Sequence, residues 1–123
     1  MTKKDIARIA YNVNRAYCKS LGDHSFGPWE EAPDWQKNTC RLGVEFHIAN
    51  PDATPSASHE SWFALKAAEG WKFGPIKDPG KKEHPCMVPF DRLPRQQQAK
   101  DHLFKAVVES LRRFLEPGEV YGK

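Results

Sequence analysis

Residues 59–90 have the sequence HESWFALKAAEGWKFGPIKDPGKKEHPCMVPF, the densest run of tryptophan, lysine, glycine and histidine in the chain. Trp62 and Lys66 are four residues apart, so on a helix they would present an aromatic plane and a cation side by side. Such a pair can stack a flat base and neutralise its phosphates. The same residues also fit an aromatic core with a solvated lysine face, so the sequence leaves open whether Trp62 faces a pocket or the core.

The second half of this stretch is rich in turn residues and predicts short extended segments. Glycines at positions 70 and 74 flank an aromatic pair and allow the backbone to approach a neighbour closely. Prolines in the later part restrict it to a sheet edge or an isolated hairpin. We therefore predict short antiparallel β-hairpin segments around residues 71–90.

Outside this stretch, apolar spacing and cap signals predict helices, and hence an α+β fold that is mainly helical with about four helices. The predicted helices run from a Thr2–Asp5 capping signal to Gly22, from Pro33 to Ala49, from a cap at Ser56 or Ser58 to Gly70, and from near Pro94 to Leu115. The predicted buried stripe of the second helix is Trp35, Thr39, Leu42, Phe46 and Ala49.

The bulk composition indicates one small cytoplasmic protein. The 123 residues carry a net charge of +3, whereas nucleic-acid binding usually needs a denser Lys/Arg face, so an anionic small molecule is the favoured partner and nucleic acid is not expected. No apolar run is long enough to span a bilayer, and the three cysteines form no CxxC pair. We expect free thiols, no metal, no cofactor and no membrane partner.

Three catalytic signatures are incomplete in this sequence. His84-Pro85-Cys86 matches one fragment of the zinc deaminase signature, but the second cysteine and an upstream H-x-E are missing. His59-Glu60 lacks the second histidine of a zincin helix, because position 63 is phenylalanine. Cys86 could form a thiolate pair with either histidine, but a free cysteine is more often a small buried hydrophobe. We predict that the protein is not an enzyme.

The pattern H-E-x-W, G-W-x-[YF]-G and H-P-x-x-x-P-[YF], within positions 56–116, resembles the RyR domain. This module recurs in ryanodine receptors and stands alone in bacterial and phage proteins. The resemblance implies a compact α+β module without enzymatic activity, in which an adenine-nucleotide-type ligand stacks on Trp62. Receptor repeats pair about a pseudo-two-fold axis, so a single copy implies a homodimer, with the N-terminal helices as candidate interface. Phe73 stands where the family usually has tyrosine.

These observations predict a non-catalytic sensor or sequestering domain for a nucleotide-like anion. Residues 1–52 are expected to form a helical extension packed on an RyR-like domain at 53–118, as a single compact unit. The alternative is a protein–protein interaction module that uses the same aromatic surface. The predicted site has a base-stacking tryptophan, aromatic walls, phosphate-binding lysines and hydrogen-bonding groups: His59, Trp62, Lys66, Trp71, Phe73, Lys77, Asp78, Lys82 and His84.

Overall fold

The computed structural model describes residues 1–118, and these form two compact units. The first unit comprises residues 1–52 and the described residues from 102 onwards, and the second comprises residues 53–101. The elements, in chain order, are α1 (Lys3–Ser20), α2 (Asp34–Ala49), α3 (Pro55–Ala68), β1 (Lys72–Phe73), β2 (Glu83–His84) and α4 (Arg95–Leu111). Single 3-10 turns lie at Trp29–Glu31, Phe90–Arg92 and Arg112–Phe114. The predicted class, α+β and mainly helical with four α-helices, is confirmed over the described residues. Packing of the N-terminal half on the C-terminal domain stays a prediction.

Both ends of α1 follow its sequence signals. The Thr2 hydroxyl accepts a hydrogen bond from the Asp5 backbone N–H at 3.1 Å, and the Asp5 carboxylate accepts one from the Thr2 N–H at 2.8 Å, which is a complete capping box. At the other end Gly22 has φ +87°, and the amides of Gly22 and Asp23 donate to carbonyls of the last helical turn. This is the Schellman arrangement, which favours glycine because of its positive φ.

The buried face of α2 is not the predicted stripe. Trp35 is 50% exposed and Leu42 is also exposed, whereas Val44 and His47 are buried. The prediction therefore chose the wrong face of α2 as the buried one. The helix carries two overlapping rows of apolar side chains, and the larger side chains lie on the row that faces outwards. A Cβ on Gly43 would lie 2.9 Å from Cζ of Phe104, so the inner face passes close to α4.

The core of the first unit joins α1, α2, the C-terminal part of α4 and the loop before α2. Tyr11 ties that loop to α1, since its hydroxyl donates to the Gly27 carbonyl at 2.8 Å and its ring meets Trp29 edge-on at 5.4 Å. Phe104, Val107 and Leu111 of α4 pack against this core, whereas Phe114 in the turn after α4 is exposed. The buried members of this core are Ile6, Ala7, Tyr11, Trp29, Val44, Val108 and Leu115.

In the second unit, the cap of α3 is Thr54, two residues before Ser56 and four residues before Ser58, the predicted caps. The Thr54 hydroxyl accepts from the Ala57 N–H at 3.1 Å, and Pro55 occupies the first helical position. The prediction of Ser56 or Ser58 as the cap was wrong, because proline is favoured at that first position and places the cap directly before it. Gly70, with φ +93°, ends the helix as predicted.

The strands of the second unit are parallel, so the prediction of an antiparallel hairpin was wrong for β1 and β2. The Lys72 N–H donates to the Lys82 carbonyl at 2.9 Å, and the Gly74 N–H donates to the His84 carbonyl at 3.3 Å. The turn between the strands returns the chain so that Glu83 forms an antiparallel bridge with Asp78. The other edge of β2 is then left for β1, which lies alongside it in the same direction.

Gly74 is required by this pairing. A Cβ at this position would lie 2.5 Å from Cβ of Glu83, which is closer than two such atoms can approach. The close approach that the sequence indicated is therefore made by the chain's own second strand.

No helix within residues 1–118 is long and apolar enough to cross a membrane.

Candidate functional site

His59 anchors a cluster of rings in the second unit. It lies on α3 and is only 4% exposed. Its Nε2 is 2.7 Å from the Val88 carbonyl oxygen, and because a carbonyl can only accept, the ring must donate from Nε2. This bond fixes the plane of the imidazole. The Trp62 ring stacks on it with centroids 5.5 Å apart and planes 28° from parallel.

Trp62 is half-buried and lies between two histidines. One turn of α3 places it over His59, and the His84 ring meets it edge-on at 5.4 Å. His84 in turn contacts Trp71, with ring centroids 6.3 Å apart. These four residues form one continuous group, which we call the ring cluster: His59, Trp62, Trp71 and His84. Trp62 is thus neither a core residue nor a freely exposed one.

Lys66 is a buried residue that packs against the ring cluster. It is 8% exposed, and its ammonium lies 5.7 Å from the centre of the Trp71 ring, within the range of a cation–π contact. Its Nζ is also 3.6 Å from a carboxylate oxygen of Glu69. The predicted pairing of a cation with a tryptophan is present, but the tryptophan that Lys66 meets is Trp71 rather than Trp62.

His84 is held in the neutral form. Its pKa is lowered to about 4, mainly by burial and additionally by the electrostatic influence of Lys77, Lys100, Lys66 and His59. The Cys86 backbone N–H donates to Nδ1 at 2.9 Å, which requires an unprotonated Nδ1 and leaves the ring proton on Nε2. At neutral pH His84 is therefore an uncharged ring with an N–H donor.

The surroundings of His84 are electropositive. Lys77 and Lys100 both act on its pKa in the direction that disfavours a positive charge. The Lys66 charge adds to this field, although Glu69 offsets part of it. A positive field beside aromatic faces favours an anion that carries a flat group.

The family model of the RyR domain matches residues 49–119. The chain belongs to the RyR domain family. The matched residues include the whole second unit and the entire ring cluster. The resemblance drawn from the motifs is therefore confirmed.

Five predicted site residues of this RyR domain lie outside the ring cluster, and Phe73, Asp78 and Lys82 are three of them. Phe73 is 56% exposed, and its backbone pairs with His84. The Asp78 carboxylate accepts from the Lys81 N–H at 3.2 Å, which stabilises the turn. Lys82 has φ +54°, and its Nζ donates to the Glu69 carbonyl at 2.7 Å at the end of α3. The contacts of Asp78 and Lys82 shape the loop that carries His84.

Three residues that form part of the site were not predicted from the sequence. Val88 provides a backbone carbonyl, which no side-chain pattern reveals. Phe90 lies 6.0 Å from His59, ring centre to ring centre, and its place in the H-P-x-x-x-P-F motif was the available signal. Lys100 comes from α4, so only the fold brings its charge near His84.

Burial makes the Cys86 thiol of the RyR domain a weak candidate for a nucleophile. Burial raises the pKa of the Cys86 thiol, so the thiolate that a nucleophile needs is disfavoured. Of the residues from 1 to 118, no three or more of the types His, Cys, Asp and Glu are grouped so as to hold a metal ion.

Proposed function

We propose that the RyR unit binds a nucleotide-like anion without catalysis, as a sensor or a sequestering domain. The observation that carries the proposal is the half-buried Trp62 in a group of aromatic rings, beside a neutral His84 in an electropositive field. Stacking surface, hydrogen-bond donor and positive charge are the three things that a base with phosphates needs.

The ring cluster is the proposed base-binding surface. One face of Trp62 is occupied by His59, so the ligand would use the remaining surface of Trp62 together with Trp71. His59 is locked by its bond to Val88, and this keeps Trp62 in place before the ligand arrives. A preorganised aromatic surface binds more tightly because less side-chain entropy is lost on binding.

Lys77 and Lys100 are the proposed phosphate contacts. Lys66 is too well covered to be the main one, since it lies beneath Trp71. Neutral His84 would donate from Nε2 to an acceptor on the ligand. A neutral donor avoids adding a buried charge that must be desolvated, while Lys77 and Lys100 provide the positive charge.

A thermal-shift panel with ATP, ADP-ribose and a cyclic dinucleotide tests this function. Ligand binding to the folded state raises the Tm by mass action. At least one of these should raise the Tm of the wild type and of Trp35→Ala, which removes an exposed tryptophan of the first unit. It should fail to raise the Tm of Trp62→Ala. A panel without any shift, or a shift that Trp62→Ala retains, contradicts the proposal.

A second candidate function is a protein-interaction surface, which rests on a different observation. Phe73 and Ile76 are 56% and 76% exposed and lie in the same short segment after Trp71. Exposed large apolar side chains close together mark interaction sites. Phe73→Ser with Ile76→Ser should then abolish capture of a partner while nucleotide-induced Tm shifts remain. Loss of the Tm shifts in this variant would assign both residues to the ligand site.

A homodimer, a bacterial or phage source and a cytoplasmic location stay predictions. The homodimer is checked by light scattering across a range of protein concentrations, since a dimer of this chain must dissociate on dilution.

A further inference from the structure

The first unit carries a groove that is separate from the ring cluster and lies outside the residues that the RyR family model matches. Its volume is about 320 Å³, which is within the range of small-molecule sites. One wall is a single face of α1 with Asn12, Arg15 and Lys19, and the other is formed by Pro28, Trp29 and Glu30. We call it the N-terminal groove.

Arg15 is oriented by the protein before any ligand is present. Its Nε donates to the Phe26 backbone carbonyl at 3.1 Å, and the residue is half-buried. This bond fixes the plane of the guanidinium and leaves the two terminal nitrogens as a fork. A guanidinium fork matches two oxygens of a phosphate, and a fixed fork loses less entropy on binding.

The loop that holds Arg15 is itself tied down. The Tyr11 hydroxyl donates to the Gly27 carbonyl at 2.8 Å, next to the carbonyl that Arg15 uses. Trp29 is buried against Tyr11 and forms part of the groove wall. The groove is therefore built on α1 and a fixed loop rather than on independent surface side chains.

The charges of the N-terminal groove are unbalanced. Arg15 and Lys19 are one helical turn apart, so their like charges repel each other. The ion pairs formed among residues 1–118 include neither of them. Glu30 provides one carboxylate on the opposite wall, which leaves a net positive charge in the groove.

We propose that the N-terminal groove binds the phosphate group of a small molecule. The Arg15 fork holds two phosphate oxygens, Lys19 adds a second positive charge, and the Asn12 amide donates a hydrogen bond. Glu30 opposes a high negative charge and so limits affinity. This site is independent of the proposed nucleotide site, because every residue that forms it belongs to residues 1–52.

An NMR titration with inorganic phosphate at constant ionic strength tests the site residue by residue. The side-chain N–H signals of Arg15 and Asn12 should shift and saturate in the wild type. In Arg15→Gln and in Lys19→Gln, the affinity should fall, by about tenfold for Arg15→Gln, as expected for a charged hydrogen bond. Arg8→Gln is the matched control on α1, since Arg8 pairs with Asp5 and is not part of the groove.

Glu30→Gln should change the affinity for phosphate in the opposite direction to Arg15→Gln and Lys19→Gln. Removing the only carboxylate among the groove residues should tighten phosphate binding several-fold, because a like charge close to the ligand is lost. Lys19→Gln changes an exposed residue, so it reports on binding even where Arg15→Gln is unstable. Shifts that do not saturate, or that persist unchanged in Lys19→Gln and Glu30→Gln, overturn the proposal. Shifts confined to the ring cluster overturn it too, while leaving the nucleotide site intact.

Discussion

In the first unit the largest completely buried side chains are Ile6, Val44, Val108 and Cys18, whereas the buried side chains of the second unit include His59 and Lys66. Apart from the imidazole of His47, the first unit thus has an apolar core. The second places an imidazole and an ammonium inside, and each has a partner that compensates for lost hydration. Buried polar groups lower stability unless they are paired, and the contacts that pair them here also fix the positions of His59 and Lys66.

The two buried histidines sharpen this difference. His47 in the first unit is 2% exposed, and its Nε2 has no hydrogen-bond partner among residues 1–118. His59 in the second unit is 4% exposed and donates to Val88. The two imidazoles are therefore buried to a similar degree, but within residues 1–118 only His59 has a hydrogen-bond partner at Nε2. We expect His47 to act as a packing residue and His59 as a positioning residue for Trp62.

The largest expected effect on stability comes from replacing glycine by alanine, and it should differ between one glycine of each unit. Gly74→Ala should lower the free energy of unfolding by about 3 kcal/mol, because the new Cβ meets Cβ of Glu83 at 2.5 Å and the strands must separate. Gly43→Ala meets only the far end of the Phe104 ring, at 2.9 Å. There the gain in helix propensity offsets part of the strain, so the net loss should stay near 1 kcal/mol. Urea denaturation measures both, and equal losses would contradict the close strand pairing.

The next effect tests the histidine comparison through matched substitutions. His59→Leu should destabilise by about 1–3 kcal/mol, since the Val88 carbonyl loses its donor. His47→Leu removes a buried polar atom that has no partner, so it should be neutral or stabilising. Both are measured by denaturant unfolding. The comparison fails if His47→Leu is as destabilising as His59→Leu.

The pH dependence of stability gives a smaller effect with a defined sign. Burial and nearby lysines lower the pKa of His84 from its usual 6.5 to about 4, so the unfolded state binds more protons than the folded state between these values. The contribution of His84 to the free energy of unfolding is therefore fully present above pH 6.5. It falls as the pH drops towards 4, by at most about 1.4 kcal/mol per pH unit.

His84→Asn tests this dependence, because an amide oxygen can still accept from the Cys86 N–H but does not titrate in this range. Unfolding free energies measured from pH 7 to 4 should show a shallower slope in the variant. Burial also lowers the pKa of His47, so part of the slope remains. An unchanged slope in His84→Asn would show that His84 binds protons equally well in the folded and unfolded states, which contradicts a lowered pKa.

The sequence was sufficient to predict features that depend only on residues close together in the chain. The Thr2–Asp5 capping box and the helix ends at Gly22 and Gly70 depend on neighbouring residues only, and all three were predicted. The family motif located the ring cluster because its histidines and tryptophans are close in sequence. Thr54 was missed because Pro55, which fixes the start of α3, was not weighed against the nearby serines.

Features set by tertiary structure were not predictable in the same way. The rotation of α2 depends on which apolar row meets the core, and helical spacing alone fits both rows. The parallel pairing of β1 and β2 depends on a turn that first pairs Asp78 with Glu83. Lys100 reaches the field of His84 only through the placement of α4. Each of these needs the position of another element.

The four tryptophans provide the most direct test of the proposed function, because Trp29 and Trp35 lie in the first unit and Trp62 and Trp71 in the second. Titration of the wild type with ADP-ribose, followed through the indole N–H signals in a ¹⁵N–¹H spectrum, reports on all four at once. We predict that the signals of Trp62 and Trp71 shift and saturate together, while those of Trp29 and Trp35 stay in place. Saturating shifts at Trp29 or Trp35 with none at Trp62 and Trp71 would contradict a base-binding ring cluster.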